Sequence, residues 1–134
     1  GNIFAGDSSA AIHVGDGASV VDHGGNFSTA DDAATLDSPS SQSNVDVADL
    51  ALGELADNGG PTATRALGAD SIAVDVASAE EFSELFDYAL DTDQRGFVRT
   101  GDLLDAGAFQ SDGYDPGVIG AAGVALVSRR RRKA

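Results

Sequence analysis

The acidic residues are the first candidates for chemistry. Asp91, Asp93 and Asp102 stand at positions 1, 3 and 12 of a twelve-residue stretch with Gly96 at position 6 and Val98 at position 8. Oxygen donors at that spacing, with a glycine at the sharp turn, are what a helix-flanked calcium loop requires. Arg95 occupies position 5, where an oxygen ligand belongs, and position 12 is Asp rather than the longer, bidentate Glu. Calcium is therefore a weak alternative here, and a structural Asp–Arg cluster is the expected arrangement. Carboxylate pairs abound, as a glycosidase or lyase needs. The arginines among them, Arg95 and Arg99, are read as structural, so no catalytic residue is assigned. His13 and His23, ten residues apart, are not expected to share a metal. There is no cysteine, which excludes disulfides, thiolate catalysis and Cys-ligated zinc.

The elements that hold these residues are short. Ala11–Val14 and Ala18–Asp22 pair β-branched residues with Gly and Asp turns, and Asn26-Phe27-Ser28 follows a Gly24-Gly25 break. Such strands suit the rungs of a parallel solenoid. Residues 29–49, rich in Ser, Asp, Ala and Thr, read as an exposed excursion. A strand tract resumes at Leu50–Leu55 and meets a dense turn at Asp57-Asn58-Gly59-Gly60-Pro61, after which Ala63–Leu67 and Ser71–Val76 read as strands. Thr62 and Thr64, two apart, are predicted to point the same way off one strand. Residues 79–90 form the one convincing helix, with Phe82, Leu85, Phe86 and Ala89 in a single apolar stripe and Ser78 as its N-cap. The stripe is expected to pack against the core.

Charge is extreme. All 22 acidic residues lie in the first 128 positions against Arg65, Arg95 and Arg99 alone, a net of −19 there and −14 for the whole chain. Such a field repels nucleic acid and anionic lipid and suits a hydrated extracellular surface. Arg95 and Arg99 are expected to bridge carboxylates such as Asp75, Asp93 or Asp105. The opening Gly1-Asn2-Ile3-Phe4 reads as the middle of a strand-and-turn pattern, so a longer parent is expected ahead of it. At the other end an apolar run, Gly117–Val127, precedes Arg129–Lys133. Its 11 residues would span roughly 16 Å as a helix, short of a ~30 Å hydrocarbon core, yet apolar-then-basic order is that of C-terminal sorting signals.

Two stretches carry a resemblance. Leu52–Leu67, with its Asp57-Asn58-Gly59-Gly60-Pro61-Thr62-Ala63-Thr64, and Asp93-Gln94-Arg95-Gly96-Phe97-Val98-Arg99, followed by Asp105-Ala106-Gly107-Ala108-Phe109-Gln110, resemble the blocks of the choice-of-anchor Q domain. That module closes bacterial surface proteins of the right-handed parallel β-helix, pectin-lyase-like kind. The resemblance implies a mainly β chain in three parts. Residues 1–49 would be terminal rungs with an exposed loop, 50–112 a capping module containing the short helix, and 113–134 an anchor or sorting-like tail. It implies a non-catalytic structural role in a secreted or surface-anchored, adhesin-like protein, with no cofactor. The solenoid ahead would meet a surface glycan or a host or cell-surface protein, and the tail the cell envelope. The competing classes are the end of a polysaccharide-degrading β-helix enzyme and a calcium-binding module.

Overall fold

The computed structural model describes residues 1–6, 10–87, 90–113 and 115. The apolar-then-basic tail, the Ala89 end of the helical stripe and the side chain of Phe86 lie outside what is described. Among the described residues no helix is long and apolar enough to cross a membrane.

The N-terminal part stacks in parallel. Strand β1 (Ile3–Phe4) pairs with β2 (Phe27–Ser28) in the register Ile3↔Phe27, and Phe27 forms a further parallel bridge to Gln42. The backbone bonds Phe27 N→Asn2 O, Thr29 N→Phe4 O, Gln42 N→Asn26 O and Ser28 N→Gln42 O join three passes of chain. β-Branched and aromatic residues at the pairing positions favour this extended backbone. Residues 11–14 and 18–22, read as strands, have no regular structure. Their backbone groups find partners elsewhere, with Ala11 N and Ile12 N donating to the Asp32 carboxylate.

Residues 29–49 are more ordered than a solvated excursion. Ala30, Asp32 and Leu36 are buried there. The segment ends in a single helical turn, α1 (Val47–Leu50), whose N-cap Asp46 accepts from Ala48 N at 2.9 Å. The next two strands form an antiparallel hairpin, β3 (Leu52–Ala56) with β4 (Thr64–Leu67), in which Leu55 faces Arg65 and Ala56 faces Thr64. Its connection is the Asp-Asn-Gly-Gly-Pro turn. Ser71–Val76 turns instead of extending, and its backbone bonds run outward: Ile72 N→Asp49 O, Ala106 N→Ala73 O and Val76 N→Leu104 O. Strands β5 (Ala77–Ser78) and β6 (Leu103–Leu104) pair antiparallel.

Helix α2 covers Ala79–Phe86 and stops at Asp87, which takes a left-handed conformation. Ser78 caps it, its hydroxyl accepting from Glu81 N at 3.2 Å, and Glu80 and Glu81 sit where the helix dipole favours anions. The stripe is only partly covered: Phe82 is half-buried, while Leu85 remains 52% exposed. The core itself lies between the parallel stack and the hairpin, where Phe27, Leu50, Leu67, Ala73 and Ala106 are buried and Ile3, Val45 and Leu52 pack on them. Burying a side chain such as Phe27 or Leu50 contributes about 1.5–3 kcal/mol.

Candidate functional site

Two sequence tracts far apart in the chain meet at one place. The first is the β3–β4 turn. Asp57 Oδ1 accepts from Gly59 N at 3.0 Å, closing an Asx turn, and Asn58 Nδ2 reaches across to Thr64 O at 2.8 Å and Thr64 Oγ1 at 3.2 Å. Gly59 and Gly60 have φ of 91° and 83°, a left-handed backbone that β-carbons disfavour. A β-carbon on Gly60 would lie 2.5 Å from Arg95 Cα, so glycine is what lets the two tracts touch. Thr62 and Thr64 do not share a strand face. Thr64 is buried in β4, whereas Thr62 stays in the exposed turn, because the chain is still curving there.

The second tract is a tight loop between Thr92 and Val98, which form an antiparallel bridge. Gly96, at φ 80°, completes the reversal. Gln94, exposed, donates its side-chain amide to Thr62 Oγ1 at 2.7 Å and so ties the second tract to the first. Arg95 turns inward. Its guanidinium pairs with Asp93 at 2.6 Å (NH2 to Oδ2) and 2.8 Å (Nε to Oδ2), and its NH2 also donates to Gln110 O at 2.9 Å. The rings of Phe97 and Phe109 lie over it, at 4.1 and 3.7 Å from the guanidinium carbon. A planar cation between two aromatic faces is stabilised by their quadrupoles, more so when water is excluded. Both charges are buried, and a buried ion pair is sound only if its remaining donors and acceptors are satisfied.

They are. Asp93 Oδ1 accepts from the Arg95 and Phe97 amides, and Oδ2 from the Gln110 amide as well as from Arg95. Burial by itself would raise the Asp93 carboxyl; the Arg95 side chain and these amides reverse that and hold it below the ordinary carboxylate range. Among the described residues no buried side-chain polar atom lacks a partner.

Gln110 is the hub. Fully buried, it accepts at Oε1 from Arg99 NH1 and from Asp105 N, and donates from Nε2 to Asp112 Oδ1 at 2.8 Å. Arg99 was expected to bridge carboxylates; its described hydrogen bonds go instead to Gln110 Oε1 and to the carbonyls of Thr92 and Gly107. Burial pushes the Arg99 guanidinium below its usual value, with Asp93 and Asp105 pulling it back up. Asp105 is buried and accepts from Asp75 N and Ser111 N. Gly107, at φ 89°, follows it, and its N–H donates to Gly1 O at 3.1 Å.

The same use of aspartate recurs beyond this clasp, formed where the β3–β4 turn meets the Thr92–Val98 loop. Asp22 receives the amides of Gly24 and Ser38 and the side chains of Asn26 and Ser41. These bonds outweigh its burial and lower its carboxyl. Asp32 takes a hydrogen bond from the Ser28 hydroxyl and the amides of Ala11 and Ile12, and is lowered chiefly by Ser28. The carboxylates at 22, 32, 93 and 105, like that of Asp57 in its turn, thus serve as acceptors for loop amides, the groups a strand ladder would otherwise satisfy. The periodic patterns that mark strands could not have located these acceptors; an Asp followed two residues later by Gly or Arg, as at Asp22 and Asp93, is the local signal that could.

The calcium candidates separate by environment. Asp93 has both oxygens occupied by protein donors, while Asp91 and Asp102 are exposed. Among the described residues no group of three or more His, Cys, Asp or Glu could hold a metal ion. A groove of about 930 Å³ opens beside the clasp, lined by Ile3, Val45, Leu52, Leu55 and Phe109. Neither a protein-family model, nor a curated protein, nor a solved structure matches this chain.

Proposed function

We propose that this chain is a non-catalytic capping module of a secreted or surface-displayed right-handed parallel β-helix protein, of the choice-of-anchor Q type. The observation that carries the reading is the meeting of the two resembling tracts: Gly60 seats on the backbone of Arg95, and Gln94 bonds Thr62. Residues that a module uses as recurrent markers are here the residues that fasten it. The parallel stack of β1, β2 and Gln42 supports the rung assignment for the N-terminal part. A terminal coil presents backbone groups with no next rung, and carboxylates that take up loop amides answer that need. The role is structural. The solenoid ahead of it meets a glycan or cell-surface protein, and the tail engages the cell envelope.

Two measurements test this. The coding sequence ahead of Gly1 should specify a signal peptide and further short strand-and-turn repeats; an α/β enzyme sequence there would sink the solenoid reading. In a bacterial host, secreted protein carrying residues 113–134 should fractionate with the envelope and be cut by protease added outside. Deleting those residues should release it to the medium. Unchanged fractionation after the deletion would remove the anchoring role.

A further inference from the structure

Asn58 is followed directly by Gly59, which exposes the Asn58 side-chain amide to attack by the next backbone nitrogen. With no side chain on Gly59, its amide nitrogen can reach the neighbouring Asn58 side chain. In that reaction the Gly59 nitrogen bonds to Asn58 Cγ, the Cγ–Nδ2 bond breaks, and the nitrogen leaves as ammonia with the proton that Gly59 gives up. Water then opens the cyclic imide at either carbonyl, leaving aspartate or isoaspartate at position 58.

Three contacts oppose this in the folded hairpin. Gly59 N–H is directed to Asp57 Oδ1 at 3.0 Å. The leaving amide of Asn58 is held by Thr64 O and Thr64 Oγ1 at 2.8 and 3.2 Å. Gly59 also lies against the Phe97 ring, where a β-carbon would come within 3.1 Å, so the backbone has little room to swing the nitrogen toward Cγ. We propose that Asn58-Gly59 is a deamidation site held shut by the clasp, so that conversion at 58 occurs when the hairpin opens and marks that opening permanently. The product cannot simply re-lock. It lacks the donor that Thr64 O requires, and isoaspartate adds a backbone atom in the turn where Gly60 already touches Arg95. This inference is independent of the capping role.

The test follows conversion at position 58 by peptide mass spectrometry on the whole chain at mildly alkaline pH, native and in urea. Native conversion is expected to be at least about tenfold slower than in urea, since it must wait for local opening. Asp57→Ala removes the acceptor that restrains Gly59 and should raise the native rate severalfold at an unchanged urea midpoint. Asp57→Asn keeps an acceptor oxygen and should leave it near the wild-type value. Equal native and urea rates would overturn the proposal. So would a slower native rate in Asp57→Ala, which would make the carboxylate a base that promotes the reaction, or a rise that only tracks lost global stability.

Discussion

At the scale of single residues, Arg95 is the side chain on which most depends. It is 8% exposed, pairs with Asp93, bonds Gln110 O and stacks between two rings. Arg95→Ala leaves the Asp93 carboxylate buried without its cation, a change that costs about 3–5 kcal/mol. Urea denaturation should show an unfolding free energy lower by that amount. Arg95→Lys should recover only part of it, because an ammonium has neither the fork that reaches Asp93 and Gln110 together nor the plane that stacks. A loss below about 1 kcal/mol in Arg95→Ala would mean the cluster is ornamental. The sequence indicated a carboxylate partner for this arginine, and scarcity of cations was the reason. What no local pattern could indicate was Gln110, which sits fifteen residues on and enters by its backbone as much as by its side chain.

At the scale of elements, the β3–β4 turn and helix α2 make separable predictions. Gly60→Ala should disrupt the contact between tracts, since the added carbon meets Arg95 backbone at 2.5 Å and the φ of 83° is strained for any side chain. Gly53→Ala is the control, its nearest contact being 3.4 Å. The first should lower the melting temperature well beyond the second; equal shifts would show that the seat of Gly60 is loose. Ser78→Ala removes the cap of α2 and should cost about 1 kcal/mol, with a matching loss of helical signal in far-UV circular dichroism.

The elements were unevenly readable. Helix α2 and its cap could be read because 3.6-residue periodicity and a capping serine are local signals, although the stripe extends past the helix end at Asp87. The hairpin strands were marked by the dense turn between them. The segments 11–14 and 18–22 share strand composition but lack a ladder partner, and composition does not encode the presence of a neighbour. Residues 29–49 look solvated by composition, yet Asp22 and Asp32 fold them inward through long-range bonds to backbone amides.

At the scale of the whole molecule, electrostatics sets two responses. Asp22, Asp32 and Asp93 have folded-state carboxyls below their ordinary values. A depressed carboxyl contributes stability that is present above the unfolded value of about 3.9 and is lost as pH falls through the folded one. Stability should therefore hold above about pH 5 and fall steeply in more acidic solution. A melting temperature that stays level down to pH 2 would contradict this. Self-repulsion from a net charge of −14 should make added sodium chloride stabilising, since the Debye length drops to about 10 Å at 0.1 M. Calcium at matched ionic strength should add nothing further. An extra rise with calcium that Asp91→Ala abolishes would install an ion in the loop 91–102.

The bonds of Gln110 carry a consequence for homologous chains. Its Nε2 faces Asp112 Oδ1, so the amide separates one carboxylate from the Oε1 side, where Arg99 donates. A glutamate at 110 would strengthen the Arg99 side and set two anions against each other on the Asp112 side. The two positions should therefore covary: Glu at 110 with a neutral residue at 112, or Gln at 110 with Asp at 112. A double-mutant cycle of Gln110→Glu and Asp112→Asn should give a favourable coupling of about 0.5–3 kcal/mol. A coupling of zero would mean that the pair drifts independently.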